Sequence, residues 1–137
     1  MMESLACPFA TVDKILEREK GNYDISIMDV HAESTSEKIA IGRYFDGKIN
    51  MIFGTHTHVA TADEQILPHG SGYITDIGMT GPVDSVIGSN ADAVIERFRT
   101  KITSRFTVAD GEIRAHGVLF DFDTDTKKVT DVKRIVF

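Results

Sequence analysis

A short apolar segment that ends in a glycine and two alternate histidines constrains the fold of this chain more than any other feature. Residues 49–53 read INMIF, and Gly54, His56 and His58 follow directly. Near-continuous apolar character over so few residues is typical of a strand buried on both faces of a parallel sheet. The segment therefore predicts a sheet with helical crossovers rather than a meander of hairpins.

The residues before this segment complete a βαβ unit. Residues 23–30 predict a strand, and Ser34 with Glu37 has the spacing of a capping box at the start of a helix. That helix is expected to end at residues 46–47, Asp-Gly. In such a unit the two strands are parallel and the crossover is right-handed, so the carboxyl ends of both strands lie at one edge of the sheet.

The remaining patterns predict further helices and strands in one domain, residues 1–137. Apolar spacing and Pro8 predict a helix over residues 8–20. A helix capped by Asn90 is expected to bury Val94, Ile95 and Phe98. The predicted strands are 73–76, 105–108 and 113–123, the last two joined by a hairpin at Asp110-Gly111, and a final antiparallel strand, 129–137. The fold class is α/β, with a parallel βαβ core followed by antiparallel C-terminal strands.

Three histidines are expected to meet at the shared edge of the parallel strands. His31 follows the first strand, and His56 and His58 point to one face if strand geometry persists to residue 58. Three neutral imidazoles can hold one divalent metal ion with an open position. Asp76 is expected near the same edge. Asp29 is either an acceptor for an imidazole N–H or a strand-end carboxylate bonded to backbone.

Composition excludes several classes of function. The net charge is −6 and no Lys/Arg cluster occurs, which disfavours binding to long nucleic acid but not to a small phosphate ester at a metal. No apolar stretch approaches the roughly 18 residues that span a bilayer. Because Cys7 is the single cysteine, no internal disulfide is expected, and the chain suits the reducing cytoplasm.

Several motifs together resemble the YmdB-like metallophosphoesterases, bacterial calcineurin-like enzymes linked to hydrolysis of 2′,3′-cyclic nucleotides. The resemblance runs from about Pro8 to Ile135. It implies part of a sandwich of two sheets between helices. The motifs that carry it are DVHAE at 29–33, TSEK at 35–38, GTHTHV at 54–59, TAD at 61–63, ILP at 66–68 and YITDIGMTGP at 73–82.

The resemblance also implies site residues and a cofactor. His31 corresponds to the isolated metal-binding histidine of the superfamily, and His56 and His58 to its terminal pair. The full-length family is expected to hold two divalent ions of manganese, iron or zinc. In that centre the metals polarise the phosphate of a small ester or cyclic nucleotide and supply a bridging hydroxide.

Four small residues are candidate substrate contacts near the same edge. Hydroxyls or backbone N–H groups of Thr35, Ser36, Thr80 and Gly81 would bind phosphate oxygens. In the alternative interpretation, the first two simply open a helix and residues 78–82 form a turn.

The chain departs from the family by lacking the motifs of its N-terminal half. An early metal-binding Asp, a Gly-Glu-Asn segment and a Gly-Asn-His segment do not occur, so the catalytic histidine is expected in the absent half. We favour a fragment over a naturally short form, and expect a weakly active or inactive phosphodiesterase. The alternative is a non-catalytic binding or regulatory module. Apolar strands 49–53 and 118–122, left without neighbours, would favour a homo-oligomer.

Overall fold

The computed structural model describes residues 5–103 and 105–137, and within them it confirms the predicted α/β fold. Its helices are α1 (Pro8–Arg18), α2 (Thr35–Phe45) and α3 (Ala91–Thr100). Its strands are β1 (Ile27–His31), β2 (Met51–Thr55), β3 (Gln65–Ile66), β4 (Gly72–Ile74), β5 (Thr80–Pro82), β6 (Ile113–Asp123) and β7 (Lys128–Val136).

The predicted parallel core is present. In the first sheet the strand order is β1-β2-β4-β3, with β1 and β4 both parallel to β2. The register pairs Ile27 with Met51 and His31 with Thr55, so both strands end at one edge. The first strand is shorter than predicted. Ser26 lies outside it because its backbone N–H and hydroxyl bond the Asn50 side chain at 2.8 and 3.0 Å.

The second sheet has the order β5-β6-β7 and is antiparallel. The prediction of a strand at 105–108, joined by a hairpin at 110–111, is wrong. Val108 makes only an isolated bridge to Ser89, because β6 already pairs with β5 on one side and with β7 on the other. The hairpin of this region instead joins β6 to β7.

Thr80 and Gly81, predicted in a loop, lie in β5.

Two apolar layers hold the first sheet. On one face Ile41 and Phe45 of α2 pack with Ile52 and Tyr73, and α1 covers this cluster. On the other face Met51 meets β6 and β7 of the second sheet, which gives the implied sandwich. The expectation that residues 49–53 are left exposed is wrong, because β2 lies between β1 and β4. In the first sheet β1 lies at one edge, where Ile27 is 64% exposed, and β3 lies at the other.

The helix caps are partly as predicted. The Asn90 side chain accepts the Ala93 backbone N–H at 3.1 Å, which confirms the cap of α3. Ser34 is the N-cap of α2, but its hydroxyl bonds Ser36 at 2.8 Å and makes no capping bond, so the capping box is not formed. The buried face of α3 is smaller than predicted. In α3 only Val94 is buried, and Ile95 and Phe98 face outward, contrary to the prediction.

No helix in residues 5–103 and 105–137 combines the length and the apolar character that crossing a membrane requires.

Candidate metal centre

The imidazoles of His31 and His56 meet at the carboxyl edge of the parallel strands. His31 is the last residue of β1, and its register partner Thr55 directly precedes His56. Nε2 of His31 lies 3.1 Å from Nδ1 of His56, and the ring planes are inclined at 88°. The topology thus joins two residues that are separated by a whole helix in the sequence.

The outward nitrogens of both rings are bonded to acceptors. The Thr55 hydroxyl donates to Oδ1 of Asp29 at 2.7 Å, so it accepts the Nδ1–H of His31 at 3.0 Å. Nε2 of His56 lies 2.9 Å from Oε2 of Glu33, and an ionised carboxylate can only accept. With those protons outward, the two facing nitrogens can share a metal ion, or one of them can carry a further proton and donate it to the other.

The spacing of the two nitrogens suits a shared ion. Two imidazole nitrogens bound at ~2.0–2.1 Å to a tetrahedral zinc ion lie about 3.3 Å apart. The observed separation is 3.1 Å. Imidazole is a favoured ligand of zinc, iron and related ions. The spacing of the two rings is therefore compatible with a divalent metal bound by both, and it is also that of a hydrogen bond between them.

His58 does not join the other two rings. The φ angles of His56 and His58 are +102° and +65°, so strand geometry ends at Thr55 and the prediction that it persists to residue 58 is wrong. Nδ1 of His58 lies 3.0 Å from the carbonyl oxygen of Ile87, to which it donates. That bond leaves Nε2 of His58 as the nitrogen able to ligate. Among the described residues, no three His, Cys, Asp or Glu side chains form a ready metal-binding group.

Asp29 and Asp76 act at different places. Asp29 reaches His31 through the Thr55 hydroxyl, as an acceptor one bond removed from the imidazole. Asp76 is fully buried and forms an ion pair of 2.7 Å with Lys38. Burial alone would raise the pKa of the Asp76 carboxyl, but bonds from Lys38, Thr57 and Gly78 hold that pKa below its usual value.

The four candidate substrate contacts are not gathered by the structure. Thr35 opens α2, and the Ser36 hydroxyl is bonded to Ser34. Thr80 and Gly81 pair with Ala115 and Arg114 of β6.

Sequence reasoning missed Lys38, Thr55 and Thr57 as parts of the site. Lys38 had a signal, because it precedes Ile41 and Phe45 by three and seven residues and so shares their inward face of α2. The two threonines flank His56 and look like ordinary loop residues in sequence. Their roles follow only from the positions of Asp29 and Asp76.

Comparison with known proteins gives one consistent family. A 2′,3′-cyclic-nucleotide 2′-phosphodiesterase of Bacillus subtilis is 46% identical over 129 residues, which is 94% of this chain and 49% of that protein. The crystal structure of a phosphatase from Mycoplasma pneumoniae superposes with a TM-score of 0.91 at 41% identity, covering 98% of this chain and 47% of that one. A hypothetical protein from Thermus thermophilus gives a TM-score of 0.90 at 39% identity, with 99% and 52% covered.

These comparisons also show what fraction of each relative's length the chain covers. It spans about half the length of each of these three relatives. The family model for the YmdB-like protein matches residues 1–135, nearly the whole chain. The chain therefore belongs to the YmdB-like family.

Proposed function

We propose that this chain carries the histidine side of a metal-dependent phosphodiesterase centre, with His31 and His56 as ligands to a divalent ion of manganese, iron or zinc, and with His58 as a further ligand only if its Nε2 turns toward them. The observation that supports it best is the pair of imidazole nitrogens that face each other at 3.1 Å with their protons directed outward. Membership of the YmdB-like family supports the reaction class. The proposed substrate is a small phosphate ester or a cyclic nucleotide.

The residues of this chain have distinct tasks in the proposed centre. A bound divalent ion would polarise a phosphoryl oxygen and lower the pKa of a coordinated water. His31 and His56 would donate Nε2 and Nδ1 to it. The Thr55–Asp29 pair orients the first ring, and Glu33 accepts from the second. Such outer hydrogen bonds fix the tautomer of a ligating imidazole.

The proposed centre needs further ligands for efficient turnover. Two dications about 3.5–4 Å apart require bridging anionic oxygens. The described residues offer no third His, Cys, Asp or Glu beside His31 and His56 in ligating geometry. Because the chain spans about half of its relatives, we infer that a second polypeptide segment supplies them. Slow hydrolysis of 2′,3′-cyclic AMP by this chain alone is the expected result.

Removal of either facing ring should abolish tight metal uptake. For His31→Ala and His56→Ala we expect Mn²⁺ affinity to fall at least tenfold in isothermal titration calorimetry, since even outer-shell changes cost roughly 10–100-fold. His69→Ala is the matched control, because His69 is 76% exposed and lies in the turn before β4, where it pairs with Asp46. An equal loss in the control, or no Mn²⁺ uptake by the unmodified chain, would refute the proposal.

The exposed apolar side chains also support the proposal that the chain forms a homo-oligomer. Ile27 on the outer strand and Phe98 on α3 are 64% and 68% exposed. An exposed edge strand is a template for pairing with another chain. We expect multi-angle light scattering to give a multiple of 15.1 kDa, with more than ~1,000 Å² buried in total. A monodisperse monomer over the micromolar range would contradict this expectation.

A further inference from the structure

We propose that the buried ion pair of Lys38 and Asp76 is a positioning device for His56 and His58, acting through Thr57, which lies between them. Its consequence for metal binding rests on the proposed function. Its consequence for the conformation of the segment at residues 56–58 does not. Lys38 and Asp76 would therefore be positioning residues and would touch neither metal nor substrate.

The pair is unusual in its complete burial. The side chains of Lys38 and Asp76 are each 1% exposed, and Nζ lies 2.7 Å from Oδ2. Charged side chains are rarely buried to this extent unless they are paired. Lys38 reaches Asp76 from the inner face of α2 by passing Gly54, where a Cβ atom would lie 2.8 Å from its Cδ. The absence of a side chain at Gly54 therefore leaves room for Lys38 beside the segment at residues 56–58.

Asp76 binds the histidine segment directly. Its Oδ2 accepts both the backbone N–H of Thr57 at 3.1 Å and the Thr57 hydroxyl at 2.7 Å. Its Oδ1 accepts the backbone N–H of Gly78 at 2.8 Å. The same carboxylate oxygen that pairs with Lys38 therefore holds the one residue that separates the two histidines.

The backbone on either side of Thr57 needs such a restraint. His56 and His58 have φ angles of +102° and +65°, in a region that non-glycine residues seldom adopt. Such conformations persist when surrounding bonds fix them. With Thr57 held by Asp76, His56 can direct Nδ1 to His31 while His58 turns to the Ile87 carbonyl. We infer that the ion pair fixes an otherwise unfavourable arrangement of the two rings.

The test compares Thr57→Val with Thr57→Ser. Valine keeps the shape and removes the hydroxyl that donates to Asp76, whereas serine restores the hydroxyl. We expect Thr57→Val to speed amide exchange at residues 57 and 58 at least tenfold without metal, and to weaken Mn²⁺ binding by about tenfold, the range found for outer-shell changes. The Val59 amide is left out because it bonds the Thr57 hydroxyl directly at 3.5 Å. Thr57→Ser should restore both. Thr57→Ala repeats the test without the added methyl if the valine variant does not fold.

The outcomes separate this inference from the proposed function. Equal exchange and equal Mn²⁺ affinity in the valine and serine variants would overturn the positioning role. A purely structural role would lower the free energy of unfolding and leave the affinity of the folded protein unchanged, which also overturns it. If the unmodified chain binds no Mn²⁺ but Thr57→Val still speeds amide exchange at residues 57 and 58, the positioning role stands and the proposed function fails.

Discussion

Replacing Gly54 with alanine is expected to prevent the chain from holding its native structure. Gly54 is buried in β2, and an added Cβ would overlap the carbonyl oxygen of Thr75 and approach Cδ of Lys38 to 2.8 Å. The backbone cannot withdraw easily, since the Gly54 carbonyl accepts the Ile77 N–H at 3.0 Å and its register partner is Val30. A loss above ~4 kcal/mol is expected, in the exceptional range for single substitutions.

Urea unfolding followed by circular dichroism measures this effect. Most domains of this size are stable by only ~5–15 kcal/mol, so the variant should be largely unfolded or unfold at much lower urea. Gly81→Ala is the matched control, because the nearest atom to its added Cβ is in Met79 at 3.5 Å, an ordinary contact. If Gly54→Ala unfolds at the same urea concentration as Gly81→Ala, the described approach of Thr75 to β2 is wrong.

Lys38→Met should be the next most damaging substitution, and its effect should depend on pH. The methionine leaves the Asp76 carboxylate buried without its cation, and breaking a buried pair costs about 3–5 kcal/mol. In the unmodified chain the Asp76 pKa is lowered, despite burial, by Lys38, Thr57 and Gly78. That stabilisation is complete above the unfolded value of about 3.9 and is lost as the pH falls through the folded pKa.

The stability of the variant should depend less on acid. Without Lys38, burial is opposed only by the bonds from Thr57 and Gly78, so the Asp76 pKa is higher than in the unmodified chain and less stability is lost as the pH falls. The difference in the free energy of unfolding should be largest at pH 7 and shrink toward pH 4. Lys127→Met, which removes an exposed pair with Asp24, should change stability by less than ~1 kcal/mol at either pH. If the difference in the free energy of unfolding grows as the pH falls, Lys38 does not lower the Asp76 pKa.

The sequence was sufficient to predict the elements that place His31 and His56 together. The pattern of strand, helix and apolar strand predicts a right-handed βαβ unit, in which the two parallel strands end at the same edge. The register of His31 with Thr55 agrees with this prediction. These predictions succeeded because the apolar periodicity of a segment and the handedness of a βαβ crossover depend on neighbouring parts of the chain. The short strand Thr80–Pro82 was missed because it exists only through pairing with β6, which lies far along the chain.

The direction of His58 could not be predicted for a related reason. A positive φ angle at a histidine is unfavourable in isolation, and the sequence of residues 54–59 does not indicate one. It depends on the bonds between Thr57 and Asp76, which require the whole sheet to be assembled. The apolar spacing of Ile95 and Phe98 wrongly predicted a buried face, because the spacing does not say whether another part of the chain covers that face, and both side chains are exposed.

Imidazole nitrogen NMR during titration with diamagnetic Zn²⁺ can decide whether His31 and His56 present bare nitrogens to one divalent ion. We predict that one equivalent shifts the resonances of Nε2 of His31 and Nδ1 of His56, the two nitrogens that face each other. His69 and His116 should be unaffected. Unchanged resonances for His31 and His56, or shifts spread evenly over all five histidines, would show that these two nitrogens do not share an ion.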